Sequence, residues 1–243
     1  MTGTRGQANV VGVAVMLGVT VVALATLTAG LGTVVQDSAA TADAARVAAD
    51  LDDALRPVEG TGHRTGQVSF SRGELAVVER QLRVLDAGGV VATVDVDAVA
   101  FRAGDQRVVY LAGAVVRETG AGGQLYETPP VSASRGTGGV LVVGVPTLNA
   151  TNQRVAATGP TTVRLETDVS HDRTPLGNGT YRVAVETTTP DPWERYFERA
   201  GAVVTGPRDF DGDGTASVVP RFPGERVGYL VVHDLSLEVH PRD

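Results

Sequence analysis

The segment from Asp209 to Thr215 has the residue types and spacing best suited to chemistry in this chain. It reads Asp-Phe-Asp-Gly-Asp-Gly-Thr, so carboxylates stand at alternate positions and are followed by glycine. A Ca²⁺-binding loop uses oxygen atoms at its first, third and fifth positions, a glycine turn at the sixth and a backbone carbonyl at the seventh. The pattern therefore predicts a Ca²⁺ site in this loop. The expected ligands are Asp209, Asp211, Asp213 and Thr215.

This loop lacks the second half of the pattern. The twelfth position, where a complete loop has a bidentate Glu, is Pro220. A bound ion would therefore need a further ligand, such as Glu225 or water. A solvated Asp-Gly turn without a metal is the alternative, and it stays open because Asp and Gly are common in turns.

No other pattern in the sequence predicts catalysis. The four histidines do not pair at metal-ligand spacing, Cys is absent, and the nucleophile and phosphate-binding motifs of common enzymes are missing. The histidines are His63, His171, His233 and His240. We therefore expect that the protein is not an enzyme, and an anchored hydrolase is the least favoured alternative.

Two short motifs predict modification by glycans. Asn149-Ala150-Thr151 and Asn178-Gly179-Thr180 both match the acceptor pattern, and both lie in stretches with the composition of turns. Asn149 and Asn178 are the expected acceptors.

The charge of the chain excludes one class of partner. The 21 basic residues are all Arg, the acidic residues number 28, and the net charge is −7. An acidic chain of this kind cannot neutralise a run of phosphates, so nucleic acid is excluded as a partner. Arg without Lys is typical of a G+C-rich genome, and the acidic excess is typical of a salt-adapted organism.

A long uncharged segment precedes these features. Residues 10–35 contain no charge and consist mostly of Val, Ala, Leu and Gly. About 20 apolar residues in a helix span the hydrocarbon core of a bilayer. The segment therefore predicts a transmembrane helix, with the lipid bilayer as a partner. Arg5 precedes it and Asp37 follows it, so the N-terminus is expected inside and the remainder outside the cell.

The helix is expected to continue beyond the membrane. Residues 37–56 are rich in Ala and contain no helix breaker before Pro57. Their apolar residues recur at helical spacing and share one face, which predicts an amphipathic extension of the helix. These residues are Ala44, Val47, Ala48, Leu51 and Leu55.

The start of the chain resembles a known family. Arg5-Gly6-Gln7, followed at once by the apolar segment, is similar to the class III signal of archaeal type IV pilin-like proteins, including uncharacterised haloarchaeal membrane proteins. The resemblance implies cleavage by a prepilin-type peptidase between Gly6 and Gln7, and assembly with other pilin-like subunits. Residues 1–6 would then be a leader and 7–56 the N-terminal helix. Val11 stands where bacterial pilins carry Glu, which weakens the analogy with a filament subunit.

Two other interpretations of the N-terminus stay open. In the first, the helix is an uncleaved signal anchor, and Arg5 only orients it. In the second, signal peptidase cleaves near Ala42, although the apolar segment is far longer than that of an ordinary signal peptide.

The rest of the chain, residues 57–243, predicts a β-rich extracytoplasmic domain. Its apolar residues alternate with polar ones, and Gly-rich turns separate short segments such as 75–85 and 107–116. Many short strands favour antiparallel sheets packed as a sandwich or roll. One helix is expected after Asp191, with Pro192 at its start and with Trp193 and Phe197 on a buried face.

Together these patterns predict a mainly β ectodomain on a long, partly transmembrane N-terminal helix. The expected function is that of a pilin-like, membrane-anchored surface protein with a structural or adhesive role. A membrane-anchored binding module that does not polymerise is the alternative.

Overall fold

The computed structural model describes residues 4–56, 60–120, 122–134, 138–151 and 153–241, without the side chains of residues 4–15 and 23–35. These residues form two compact units, residues 1–41 and residues 42–243. The helices are α1 (Thr4–Leu55) and α2 (Pro190–Arg199). The strands are β1 (Gly62–Phe70), β2 (Gly73–Val78), β3 (Gln81–Leu85), β4 (Val90–Asp95), β5 (Ala98–Ala103), β6 (Gln106–Leu111), β7 (Ala114–Thr119), β8 (Gly122–Glu127), β9 (Val131–Ala133), β10 (Gly139–Thr147), β11 (Arg154–Ala157), β12 (Thr161–Gly179), β13 (Arg182–Glu186), β14 (Val203–Arg208), β15 (Ser217–Arg221), β16 (Arg226–Asp234) and β17 (Glu238–Pro241).

The expected membrane crossing is not found. Within the described residues, no helix is long and apolar enough to span a bilayer. This finding overturns the transmembrane assignment of residues 10–35, the partly transmembrane fold class and the single-pass membrane location, although most side chains of that segment fall outside the described residues.

The predicted amphipathic section of α1 is confirmed. All five residues of the predicted stripe are buried, each at most 1% exposed, while Ala45 and Ala49 on the other side are exposed. The repeat of about 3.6 residues per turn brings the stripe to one face, and that face packs on the β-rich unit. Residues 42–55 therefore belong structurally to the unit that contains the strands.

Polar contacts fix the orientation of this helical section. The carboxylate of Asp43 accepts hydrogen bonds from the backbone N–H groups of Ser71 (2.8 Å) and Arg72 (3.2 Å). Asp50 accepts one from the N–H of Ser69 (3.0 Å), and the hydroxyl of Tyr110 donates to the carbonyl of Leu55 (2.9 Å). Bonds to carboxylates and bonds between buried groups are stronger than exposed neutral ones, so they lock the helix onto β1 and β6.

The strands in the described part of the chain form three sheets. The first has the order β1-β12-β16-β10-β9 with β17 also paired to β12, the second β11-β2-β5-β6-β7-β8, and the third β14-β15-β13-β3-β4. Among the described pairs, β10 with β16 is parallel and the others are antiparallel. The prediction of a β-rich domain with mainly antiparallel sheets is therefore confirmed.

The three sheets and α2 share one apolar core. Leu141, Val109 and Val183 represent the first, second and third sheets in it, and Trp193 and Phe197 of α2 complete it with no exposed surface. The predicted packing role of the α2 aromatics is confirmed. The helix begins two residues earlier than expected, at Pro190 after the N-cap Thr189, and Asp191 lies in its first turn.

Candidate functional site

The predicted Asp-rich loop lies over the outer face of the third sheet. Side chains on β13 alternate, so Val183 and Val185 enter the main core while Ala184 and Glu186 face the other way. On this outer face, Phe210 of the loop packs on Leu85, Ala184 and Val219. The small apolar cluster thus holds one end of the loop against the sheet.

The loop is also held by its own carboxylates. Asp209 accepts hydrogen bonds from the backbone N–H groups of Asp211 (3.3 Å), Gly212 (2.7 Å) and Gly214 (3.1 Å). Asp213 accepts one from the N–H of Thr215 (2.6 Å). Because both oxygens of Asp209 bind backbone N–H groups, its role in the structure is to shape the loop.

The loop brings two of its carboxylates to a buried glutamate. Glu186, at the end of β13, has a side chain only 4% exposed. Its carboxylate, that of Asp211 and that of Asp213 each offer an oxygen, and these oxygens lie within 4.8 Å of one another. This spacing allows all three to bind a single cation.

Two arginine side chains lie among these three carboxylates. Arg83 forms an ion pair with Asp211 (2.7 Å) and a longer one with Glu186 (3.9 Å), and Arg80 lies 3.6 Å from Glu186. The guanidinium of Arg83 also lies over the ring of Phe210, 5.0 Å from its centroid. Arg83 therefore links the loop to the sheet.

These groups line an acidic cleft of about 570 Å³. We use this name for the space bounded by Glu79, Arg80, Gln81, Asp95, Asp97, Ala150, Glu186, Asp211 and Asp213. Burial raises the pKa of the Glu186 carboxyl; Arg80 opposes this effect, while Asp213 and Asp211 add to it. The hydrogen bond from Arg83 lowers the pKa of Asp211, and burial raises that of Asp97. The cleft therefore has the electrostatics of a site for a positively charged ligand.

The structure thus rearranges the predicted ligand set. Asp211 and Asp213 lie in the cleft, but Asp209 is used within the loop, and neither Thr215 nor Glu225 lines the cleft. Glu186 was missed by the sequence analysis. The signal that could have indicated it is a carboxylate in the strand Arg-Val-Ala-Val-Glu, where an acidic residue follows buried apolar neighbours.

A second group of possible metal ligands lies on β12 and β17. Glu166, Glu238 and His240 each offer a ligand atom, and these atoms also lie within 4.8 Å of one another. Arg164 pairs with Glu166 at 2.8 Å, and Glu238 is mostly exposed. Because Glu238 and His240 are open to solvent, whereas Glu186 is buried, this group is the weaker cation site.

Two histidines that are far apart in sequence meet on β12 and β16. His171 and His233 are cross-strand partners, and their Nδ1 atoms lie 2.8 Å apart, within hydrogen-bond distance. One Nδ1 must donate and the other accept, so the two Nδ1 atoms cannot both carry a proton without losing this contact. Burial lowers the pKa of His233, and His171 lowers it further. This pairing was not predicted from the sequence, because 62 positions separate the two residues.

This pair predicts acid sensitivity. Because folded His233 binds a proton less readily than the unfolded chain, stability is complete above the ordinary pKa of 6.5 and falls as pH drops below it. The wild-type protein should lose free energy of unfolding as the pH falls from about 7.5 to about 5.5. In His233→Gln we expect this loss to be smaller by about 1 kcal/mol, the net value of one hydrogen bond. Urea unfolding at several pH values measures this. His63→Gln, an exposed histidine, is the control, and equal pH slopes for the two variants would contradict the assignment.

The predicted modification and processing residues lie at different places. Asn149 is exposed in the turn after β10, as expected, whereas Asn178 is exposed but lies within β12. Gly6 and Gln7 fall in α1, but their side chains are outside the described residues. Glycosylation at the two asparagines and cleavage at Gly6 stay predictions.

The helical unit has a group of exposed apolar side chains. Met16, Leu17, Val19, Val21 and Val22 are 58–76% exposed. Residues 16–22 cover about two turns, so these side chains point to all sides of the helix. Gly18, in the same section, has nothing within 4 Å of the position that a Cβ would occupy.

Comparisons with known proteins give one result. Neither a curated protein nor a solved structure matches the chain. A family model, described as a family of unknown function (DUF7289), matches residues 5–238. Because this match covers α1 and nearly the whole β-rich unit, the chain belongs to the DUF7289 family.

Proposed function

We propose that this protein is a pilin-like structural subunit that assembles with further copies of itself through α1. The observation that carries the proposal is the group of exposed apolar side chains at residues 16–22. A helix section with apolar side chains on most sides is normally buried, whereas these five side chains are 58–76% exposed within the described part of the chain. Neighbouring α1 helices in a bundle would bury it from several directions at once.

The composition of α1 supports close packing between helices. Gly18 lies four residues after Ala14, and Ala29 lies four residues after Ala25, so small residues recur on one side of the helix. Small residues at this spacing allow helix backbones to approach closely. The open space around Gly18 leaves room for such a neighbour.

The attachment of α1 to the β-rich unit supports a structural role. Residues 42–55 bury an apolar stripe, and Asp43, Asp50 and Tyr110 add hydrogen bonds at three points along it. A helix that is fixed in this way transmits force to the domain it carries. We propose that α1 forms the interior of an assembly and that the β-rich unit is displayed on it, in a structural or adhesive role.

The proposal includes processing of the leader. The sequence Arg5-Gly6-Gln7 predicts cleavage by a prepilin-type peptidase before Gln7. Cleavage would remove Arg5 and leave the apolar part of α1 near the new terminus. A helix that starts close to its apolar section fits into a bundle without burying a guanidinium group.

A binding module that does not polymerise is the second candidate function. The acidic cleft favours it, because a concave site with converging charged groups is typical of ligand-binding proteins. In that case the protein stays monomeric and residues 16–22 serve another purpose. The oligomeric state therefore separates the two candidates.

A substitution at Gly18 tests the assembly. Gly18→Leu adds a side chain that meets nothing in the single chain and removes a glycine from a helix, so we expect the fold to be unchanged and Tm to be equal or slightly higher. Between packed helices the same side chain would prevent close approach, so we expect the sedimenting assembly to be lost. Sedimentation velocity of the full chain measures this.

Gly159→Leu is the matched control. It also places a leucine in open space, but in a loop of the β-rich unit. We expect it to assemble like the wild-type chain. Assembly that is equal in wild type and in both variants would contradict packing through Gly18, and a monomeric wild type would contradict the proposed function.

A further inference from the structure

The acidic cleft carries more negative charge than its arginines neutralise. Its lining contains six carboxylate side chains and one guanidinium, that of Arg80. Arg83, which pairs with Asp211 and Glu186 from the sheet, adds a second positive charge. Carboxylates therefore outnumber guanidinium groups at the cleft, and a bound cation would reduce the repulsion between them.

Three of these carboxylates have the spacing of a shared cation site. Oxygen ligands lie 2.3–2.6 Å from Ca²⁺, so two ligands of one ion are at most roughly 5 Å apart. The oxygens of Glu186, Asp211 and Asp213 lie within 4.8 Å of one another. A single ion between them would contact all three carboxylates in place of the Arg83 guanidinium, which pairs with Asp211 and Glu186 in the described structure.

An unpaired hydroxyl beside Glu186 is the independent observation. Ser217 is 1% exposed, and its Oγ has no hydrogen-bond partner in the described structure. Ser217 and Glu186 are direct cross-strand partners on β15 and β13, so their side chains lie on the same face of the sheet. Val219, two residues further along β15, packs under Phe210 on this face. The hydroxyl therefore lies beneath the Asp-rich loop, next to the buried carboxylate.

A buried hydroxyl without a partner costs free energy unless something in the site binds it. A cation at Glu186, or a water molecule on that cation, would supply the missing partner. We infer that the acidic cleft is a Ca²⁺ site whose protein ligands are Glu186, Asp211 and Asp213, with Ser217 as a further oxygen donor.

The donor chemistry selects the type of ion. All four groups offer hard oxygen atoms, and the chain contains no Cys. Such a set suits Ca²⁺ better than Zn²⁺, which prefers nitrogen and sulfur, and its irregular arrangement on loop and sheet suits the flexible coordination of Ca²⁺ better than the strict octahedron of Mg²⁺. Two ligands come from the loop and two from the sheet, so the ion would fasten residues 209–215 to the third sheet.

Equilibrium dialysis of the full chain against radioactive Ca²⁺ tests this inference. We expect one ion per chain with an affinity on the order of 10⁻⁴ M, typical of extracellular Ca²⁺ modules. Saturating Ca²⁺ should raise Tm by about 5 °C, because the ion binds only the folded state. An equal concentration of Mg²⁺ should raise it by less than half as much.

Two variants locate the site. Asp213→Asn keeps the acceptor for the N–H of Thr215 but removes a ligand charge, and we expect it to weaken Ca²⁺ binding by about tenfold. Ser217→Ala removes a hydroxyl that has no partner in the chain, so the ion-free protein should keep its Tm while Ca²⁺ affinity falls by about fivefold.

Asp234→Asn is the matched control, because Asp234 makes the same kind of hydrogen bond, to the N–H of Ser236 (2.8 Å), away from the cleft. We expect it to bind Ca²⁺ like the wild type. No bound Ca²⁺ at millimolar concentration, or equal affinities in the wild type, Asp213→Asn and Ser217→Ala, would overturn the inference.

Discussion

Replacing Ala48 by Arg is expected to lower the free energy of unfolding by about 3–5 kcal/mol, whereas replacing Ala49 by Arg should change it by less than about 0.5 kcal/mol. The two residues are neighbours in α1 and are chemically identical. Ala48 is completely buried in the stripe that packs on the β-rich unit, and Ala49 is exposed. Arg at position 48 would bury an unpaired charge and force the helix away from the sheet, while Arg at position 49 stays in solvent.

Urea unfolding of both variants, followed by circular dichroism, measures this difference. The helix content of the native state should also fall in Ala48→Arg if α1 separates from the β-rich unit. Similar stabilities of the two variants would contradict the docking of residues 42–55, and with it the structural attachment of α1 to the β-rich unit.

Gly66→Ala is expected to destabilise the protein by about 3 kcal/mol, which is large for the addition of one methyl group. A Cβ at position 66 would lie 2.3 Å from the Cβ of Ala54 and 2.9 Å from its Cα, so β1 and α1 would have to separate. Glycine is needed at this point because the strand backbone contacts the helix directly.

A double-mutant cycle shows whether this contact is the cause. Ala54→Gly alone should lower the free energy of unfolding by about 1 kcal/mol, the usual effect of glycine within a helix. In the Gly66→Ala/Ala54→Gly double variant, the Cβ–Cβ overlap is gone although the Cα remains close. We therefore expect the double variant to be about 1–2 kcal/mol more stable than the sum of the single effects indicates. Strict additivity would show that the destabilisation of Gly66→Ala arises elsewhere.

The amphipathic section of α1 was predictable because its signal is local. The residues of the stripe lie within 12 positions, and their period alone identifies the buried face. The same is true of α2, where Pro192, Trp193 and Phe197 mark the start and the inner face of the helix.

The prediction of a membrane-spanning helix was wrong. It rested on the uncharged residues between positions 10 and 35, since an uncharged segment of that length in a helix usually indicates a span. No described helix meets the length and hydropathy that a bilayer requires.

Strand boundaries failed where two strands were predicted as one. Residues 75–85 were predicted as a single strand, yet β2 and β3 belong to different sheets and are separated by the polar residues Glu79 and Arg80. Likewise, residues 107–116 form two strands because Ala112 and Gly113 both adopt positive φ in a two-residue turn. A turn with Ala at its first position has only a weak sequence signal, since Ala rarely adopts this conformation.

The candidate site was predictable in part. The spacing of the aspartates alone predicted oxygen ligands in this loop, and Asp211 and Asp213 do line the cleft. Glu186 and Ser217 come together with the loop only through the pairing of β13 and β15, which depends on tertiary structure. Long-range pairing of this kind has no signature in a single sequence. The four oxygen donors could therefore be recognised as one group only from the folded structure.

Electron microscopy of negatively stained full-length protein is the most direct test of the central claim that this chain is a self-assembling, pilin-like subunit. The account predicts filaments for the wild type and for Gly159→Leu, and dispersed single particles for Gly18→Leu. Dispersed monomers of the wild type at concentrations of about 100 μM, far above those needed for a stable assembly, would contradict it.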